Sequence, residues 1–140
     1  MYETLLIPTD GSEESRAAID HGIALAERLE ATVHALSIVP EGPHGAMKRD
    51  ELRAEPQEEA REANRLVESA AEDGGVDVTS EVREGVPQEA ILEYAGEIGA
   101  DMIVLGTVGR TGLDHVLLGS VAEEIVRNSS VPVVTVQPAE

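Results

Sequence analysis

Short apolar runs alternate with longer amphipathic stretches along the whole chain, and that rhythm sets the expected elements. Residues 3–9 (Glu-Thr-Leu-Leu-Ile-Pro-Thr) form an apolar run that ends in the turn chemistry of Asp10-Gly11-Ser12, which predicts a buried strand. Ile19, Ile23, Ala26 and Leu29 then fall on one helical face, so residues 13–30 read as an amphipathic helix. A second strand is expected over 32–39, closed by Pro40, and a loop over 41–55, where Gly42, Pro43 and Gly45 break an already polar stretch. A Glu- and Ala-rich helix follows from Pro56 to Asp73, with the proline in its first turn and Gly74-Gly75 as its stop. Val76, Val78 and Val82 alternate in a third strand over 76–83, a pattern that suits an edge with one wet face. The helix expected over 87–99 turns Ala90, Ile91, Tyr94, Ala95 and Ile98 inward. Glu89, Glu93 and Glu97 line its other side, as a solvated acidic face rather than a metal site. Strand four is expected over 101–105, a last helix over 120–129 and strand five over 131–137.

Strands and helices thus alternate from one end to the other with no internal repeat. The pattern predicts one α/β domain over 1–140, a single doubly wound open sheet of five mostly parallel strands with helices on both faces. Such sheets hold ligands outside the carboxyl ends of their strands, where the winding direction reverses. The segments after strands one and four are therefore where chemistry is expected.

Composition narrows the reading. The 140 residues suit one domain of ordinary size. Leu, Ile and Val fill about a quarter of the chain, above the roughly 20% at which highly charged sequences stay disordered. A core can form from aliphatics and alanine, with Tyr2 and Tyr94 as the aromatics. The absence of cysteine excludes disulfides, thiol catalysis and thiolate metal sites. No basic-then-apolar leader opens the sequence and no run approaches the ~18 apolar residues of a membrane span, so a soluble, cytoplasmic protein is expected.

Charge excludes more. With 28 acidic and 10 basic residues the net charge is −18, and Lys48 is the sole lysine beside nine arginines. Such a surface repels itself in dilute salt. At molar salt the Debye length falls to about 3 Å and the repulsion is screened. Acidity alone does not account for the loss of lysine, so the balance points to a protein adapted to concentrated salt, as in a halophile, over an ordinary acidic cytosolic protein. Nonspecific binding to nucleic acid or anionic membrane is disfavoured, because no basic face exists to release counterions.

The segment after strand four carries the strongest chemical signal. Gly106, Gly109 and Gly112 recur at spacing three directly behind an apolar strand, and then Gly119-Ser120 opens a helix. Glycines there let backbone amides approach a ligand with no side chain between. A helix start adds free N–H groups and a positive dipole end, which is what a phosphate needs. Ser120-Val121-Ala122-Glu123 also has the form of a capping box. Taken singly, Ser120 reads as a cap, Gly112 as a turn and Arg110 as a surface ion-pair partner. As a set, at this place in the topology, they point to phosphate binding. Residues 102–122 balance one Arg110 against one Asp114 within a strongly acidic chain, which avoids repelling an anion.

Competing motifs fail. Lys48 lies far from any P-loop ending, and only Gly11 follows strand one where a dinucleotide fingerprint needs three glycines. Ser120 lacks the second glycine of a nucleophile elbow. His115 lies in the loop near the expected phosphates and reads as a surface residue over a catalytic one. His21, His34 and His44 share no metal-ligand spacing with it, so no protein-held metal is expected.

Gly106-x-x-Gly109, nine residues, then Gly119-Ser120 resembles the pattern of the ATP-binding branch of the universal stress protein A family. The opening Leu-Leu-Ile-Pro-Thr-Asp-Gly-Ser over 5–12 and the closing Val-Pro-Val-Val-Thr-Val over 131–136 are similar to that family as well, so the resemblance spans essentially the whole chain. It implies the strand order 3-2-1-4-5, in which Asp10 and Gly106 face one crevice. It implies that Pro8, Thr9 and Asp10 line the adenosine side and that Ile38 presents backbone to the adenine edge. Leu105, Gly106, Thr107 and Gly109 would surround ribose and phosphates. Gly119, Ser120 and Val121 would hold the phosphates through amides and the Ser hydroxyl, with Arg110 adding charge.

The implied cofactor is ATP, or ADP or AMP, with Mg²⁺ carried mainly on the phosphates. Val108 stands where family members often have His or Arg, which leaves the choice among the three nucleotides open. The implied function is a nucleotide-dependent regulator or sensor in the stress response, with no catalytic residues assigned. Two alternatives remain, a nucleotide-independent dimeric interaction module and a slow ATPase timer. Strand five bears on association: Pro132 marks an edge, yet Val131, Val133, Val134 and Val136 leave it apolar. A homodimer through 131–137 would cover it, as the resemblance also implies; the tail from Gln137 to Glu140 is the alternative shield.

Overall fold

A computed structural model describes residues 2–40, 55–107 and 119–137. Within them the order is β1 (Thr4–Pro8), a 3₁₀ turn (Glu13–Ser15), α1 (Arg16–Leu29), β2 (Thr32–Val39), α2 (Pro56–Gly74), β3 (Val78–Glu84), α3 (Pro87–Ile98), β4 (Met102–Gly106), α4 (Ser120–Asn128) and β5 (Val133–Val136). All four strand pairings are parallel, and the sheet order is β3-β2-β1-β4-β5. Class and order match the expectation. The chain winds outward from β1 to β3, returns through α3 to the other side of β1, and ends on β5.

Alternation along the central strands sorts the core into two layers. Leu5, Ile7, Val33, Ala35 and Val104 meet Ile19, Ile23 and Ala26 of α1 and Val67 and Ala71 of α2. Leu6, Leu36, Ile103 and Leu105 point the other way, onto Ile91, Tyr94 and Ala95 of α3 and Ala122 and Ile125 of α4. Leu5, Leu6 and Ile7 are wholly buried. Each contributes about 1.5–3 kcal/mol relative to leaving it in water.

Where element bounds depart from the sequence pattern, local hydrogen bonding explains it. The first helix opens as a 3₁₀ turn because Ser15 N–H reaches back three residues, to the Ser12 carbonyl at 3.1 Å. Leu29, expected to face inward, is 39% exposed at the last position of α1, where Glu30 turns left-handed at φ 55°. Strand three begins later than expected because Val76 closes the helix before it. Gly75 takes φ 68°, and Val76 N–H then caps the Ala71 carbonyl at 2.8 Å. β5 begins at Val133, yet the Pro132 carbonyl still accepts from Ile103 N–H at 3.0 Å. The loop expected over 41–55 lies outside the described residues, apart from Glu55 at the N-cap of α2. Among the described residues no helix is long and apolar enough to cross a membrane.

Candidate functional site

A proline ends the ladder between β1 and β4, at the crevice position of a doubly wound sheet. β1 is registered with β2 as far as Pro8↔Leu36, but with β4 only at Leu5↔Met102 and Leu6↔Ile103. In a strand the N–H and C=O of one residue point to the same side. The Glu3 carbonyl accepts from Thr32 N–H and Thr9 N–H donates to the Leu36 carbonyl, so odd positions serve β2. The Thr4 carbonyl accepts from Asp101 N–H, so even positions serve β4. Pro8 is an even position with no N–H to give. The β1–β4 ladder stops short of it, at the carboxyl ends of the two strands where the winding reverses.

The β1 wall of this opening is tied by side-chain oxygens. Thr9 is buried, and its N–H donates to the Leu36 carbonyl at 2.9 Å. Its carbonyl accepts the Ser37 hydroxyl at 3.0 Å. Ser15 Oγ gives its proton to the Ser12 carbonyl at 2.7 Å, so across the 3.1 Å Thr9–Ser15 contact it is the Thr9 hydroxyl that donates. A lone pair on Thr9 Oγ1 is left for Gly11 N–H at 3.2 Å. Asp10 Oδ1 accepts Ser12 N–H at 2.9 Å, an Asx turn that fixes the carboxylate on its own loop. Ser12 Oγ is buried at the back of this turn without a hydrogen-bond partner among the described residues.

The opposite wall is backbone. Thr107 N–H continues the sheet to the Val136 carbonyl at 3.1 Å, and the Thr107 carbonyl takes Gly119 N–H at 2.6 Å. Thr107 and Gly119 are thereby brought together. A Cβ on Gly119 would lie 3.2 Å from that carbonyl oxygen, so a glycine allows the approach without displacing either group. The first ladder bond of α4 runs from Glu123 N–H to the Gly119 carbonyl at 2.9 Å. Ser120, Val121 and Ala122 therefore have no acceptor for their N–H groups within the helix. The capping box expected at Ser120 does not form. Gly119 is the N-cap, with φ −65° and ψ 160° and no side-chain cap bond, and Ser120 is already the exposed first helical residue.

The site residues read from the sequence divide accordingly. Pro8, Thr9 and Asp10 lie at the exit of β1, Ile38 near the end of β2, and Leu105, Gly106 and Thr107 at the exit of β4. These are adjacent strands of one sheet edge, and Gly119, Ser120 and Val121 join them at the start of α4. The Leu105 side chain is buried in the α3–α4 layer and Val121 packs against that layer, so both offer the crevice backbone rather than side chain. Gly109 and Arg110 lie outside the described residues, as do Val108, Gly112 and His115.

Three polar residues of the β1 wall were missed by sequence reasoning: Ser15, Ser37 and Asn64, all buried. Asn64 carried a signal, since it falls on the buried stripe Ala60, Ala63, Val67, Ala71 of α2.

Charged groups cluster elsewhere. Arg83 on β3 pairs with Glu81 at 2.8 Å and Glu97 at 2.7 Å and lies 4.9 Å over the Tyr94 ring. That guanidinium holds the Glu97 carboxyl below its ordinary range, so one of the three carboxylates expected on the solvated face of α3 is an ion-pair partner. Tyr94 Oη is 3.1 Å from His34 Nδ1, and burial lowers the imidazole's affinity for a proton. At the amino end of the sheet a shallow depression of about 650 Å³ is lined by Tyr2, Glu3, Thr4, Leu29, Glu30 and Thr32. It meets the negative end of the α1 dipole and two carboxylates, surroundings that repel a phosphate.

Comparison with known proteins agrees with the fold. The model of the universal stress protein family matches residues 1–137. A universal stress protein of Methanocaldococcus jannaschii is 41% identical over 141 residues, covering 98% of this chain and 83% of the relative. A second universal stress protein of that archaeon is 31% identical over 155 residues, covering 98% and 96%. Its solved structure superposes with a TM-score of 0.85 at 32% identity, over 100% of this chain and 99% of the other. A solved universal stress protein in complex with cAMP superposes with a TM-score of 0.75 at 28% identity, over 99% of both chains.

Proposed function

The chain belongs to the universal stress protein family, and from that premise we propose that it binds an adenine nucleotide in the crevice between β1 and β4. The observation that carries this is the start of α4, where Gly119 packs against the Thr107 carbonyl and three successive N–H groups are left outside the helical ladder. Neutral donors suit this chain, because a net charge of −18 leaves few cations to spare for a phosphate. The amides of Ser120, Val121 and Ala122 take phosphate oxygens, the Ser120 hydroxyl adds a donor, and Gly109 and Arg110 complete the phosphate end. Pro8, Thr9, Asp10 and the Ile38 backbone take the adenosine, with Leu105, Gly106 and Thr107 beside the ribose. A relative solved with cAMP supports the adenine class. ATP is the ligand proposed, with Mg²⁺ carried on its phosphates, and binding rather than turnover is the activity. The protein then serves as a nucleotide-dependent regulator of the stress response in a salt-rich cytoplasm.

The optical test is cheap. With no Trp and two Tyr the protein absorbs feebly near 280 nm, so a co-purifying nucleotide dominates the spectrum at shorter wavelength. Preparations in molar KCl should carry that band, and after its removal calorimetry should register ATP–Mg²⁺. A clean spectrum with no heat of binding overturns the reading.

A dimer through β5 is part of the proposal. Val133 and Val134 pack toward opposite faces of the sheet, so the apolar side chains of this edge are partly spoken for and its outer backbone is what a second copy would meet. Even positions of the strand serve β4, through the carbonyls of Pro132 and Val136, so Thr135 N–H points away from the sheet. Thr135→Pro removes that donor and leaves the β4 ladder intact. Sedimentation should show a dimer for the wild type and a monomer for the variant; a variant dimer places the interface elsewhere.

A further inference from the structure

Asn64 is the polar residue of an otherwise apolar stripe, 2% exposed in the middle of α2. Its amide is used at both ends. Nδ2 donates to the Glu81 carbonyl of β3 at 3.0 Å, and Oδ1 accepts the Ser37 hydroxyl of β2 at 2.8 Å. The orientation is forced, because a flipped amide would set its oxygen against the Glu81 carbonyl. Ser37, equally buried, also reaches the Thr9 carbonyl at 3.0 Å, so its single proton is shared between Asn64 and Thr9. The β1–β2 register ends at Pro8↔Leu36, and beyond it the Ser37 hydroxyl holds the Thr9 carbonyl.

A helix, the edge strand and the second strand are thus joined by side chains to one peptide group, the one between Thr9 and Asp10. Packing alone does not ask for this. An apolar side chain at 64 would continue the stripe, and replacing both partners of a buried hydrogen bond by apolar groups is often close to neutral for stability.

We propose that Asn64 and Ser37 are positioning residues for the nucleotide crevice, a buried relay from α2 and β3 that fixes the Thr9–Asp10 peptide and with it the adenosine side. The proposal rests on the adenine-nucleotide reading above. Neither residue touches the ligand; each acts through Thr9. Asp10 leaves that peptide directly, so a rotation there swings its carboxylate and the Asx turn to Ser12 together.

The test uses the full chain in molar KCl with four variants. Ser37→Ala and Asn64→Leu break the relay, and Ser37→Thr keeps the hydroxyl. Ser80→Ala is the control, since it removes another β3–α2 hydrogen bond, from Ser80 to Glu68, without touching Thr9. The probes are ATP–Mg²⁺ calorimetry and the backbone amide resonances of Gly11 and Ser12 in nucleotide-free protein. The two relay variants should bind about fivefold to tenfold more weakly and shift both resonances, corresponding to loss of one buried hydrogen bond. Ser37→Thr and Ser80→Ala should match the wild type in both. Wild-type affinity or unmoved resonances in folded Ser37→Ala overturn the relay, and this smaller change decides the matter if Asn64→Leu does not fold. A wild type that takes no ATP–Mg²⁺ overturns the nucleotide reading instead, and the resonances still show whether the relay sets the turn.

Discussion

The two walls of the crevice are built from opposite materials. On the β1 side, side-chain oxygens of Thr9, Asp10, Ser15 and Ser37 hold the main chain in place. On the β4–α4 side the ties are main chain to main chain, from Thr107 to Val136 and from Gly119 to Thr107. On the proposed reading the difference follows from what each wall would meet. Adenosine is neutral and has a fixed shape, so a wall that orients a few groups is enough for it. A phosphate chain needs many donors at short range, and amides at a helix start supply them without a cation.

The comparison is broken most forcefully at Gly119. Gly119→Val places a Cβ 3.2 Å from the Thr107 carbonyl and adds two methyl groups where, on the proposed reading, phosphates would approach. Loss of even two charge-assisted hydrogen bonds lowers affinity about 100-fold or more. The loss should fall on ATP and leave AMP much less affected, so the ratio of the two affinities collapses toward one. Calorimetry with ATP–Mg²⁺ and AMP reads this directly, and an unchanged ratio would move the phosphates off α4.

Thr9→Val tests the other wall with a near-isosteric change. It removes the hydroxyl that donates to Ser15 and accepts from Gly11 while keeping the backbone bonds of Thr9. Both lost hydrogen bonds hold the turn rather than the ligand, so affinity should fall about fivefold, equivalent to about 1 kcal/mol. ATP and AMP should weaken by the same factor, since both carry adenosine. A loss confined to ATP would place phosphate against β1.

The same contrast separates what the sequence made legible from what it did not. Strand and helix order follows from apolar periodicity, because burial on two faces of a sheet imposes it over many residues at once. Pro8 was visible as the end of an apolar run. Its effect on the ladder was not, since the effect depends on whether even positions address β2 or β4, and strand order does not give that parity. Asn64 and Ser37 were hidden by the opposite fault. Each is a single polar residue inside an apolar pattern, and pattern reading averages such positions away. The sequence offers both Gly119 and Ser120 as the cap of α4, because a glycine and a serine three residues before a glutamate each suit an N-cap. The structure takes Gly119, whose N–H is drawn to the Thr107 carbonyl across twelve positions of chain.

Ser120→Ala is the smallest perturbation and the one that sharpens the contrast furthest. If the α4 wall is a backbone wall, its amides stay in place when the exposed hydroxyl goes, because the Gly119 turn and the first helical bond to Glu123 do not involve the Ser120 side chain. Alanine is also the better helix former, so the start of α4 should hold its shape. Affinity for ATP–Mg²⁺ should then drop by about threefold at most, less than the ~1 kcal/mol of a typical hydrogen bond, since water competes for an exposed hydroxyl. A tenfold loss in a variant with unchanged melting temperature would mean that the serine hydroxyl carries the phosphate contact. In that event both walls work through side chains, and the division of labour between them does not exist.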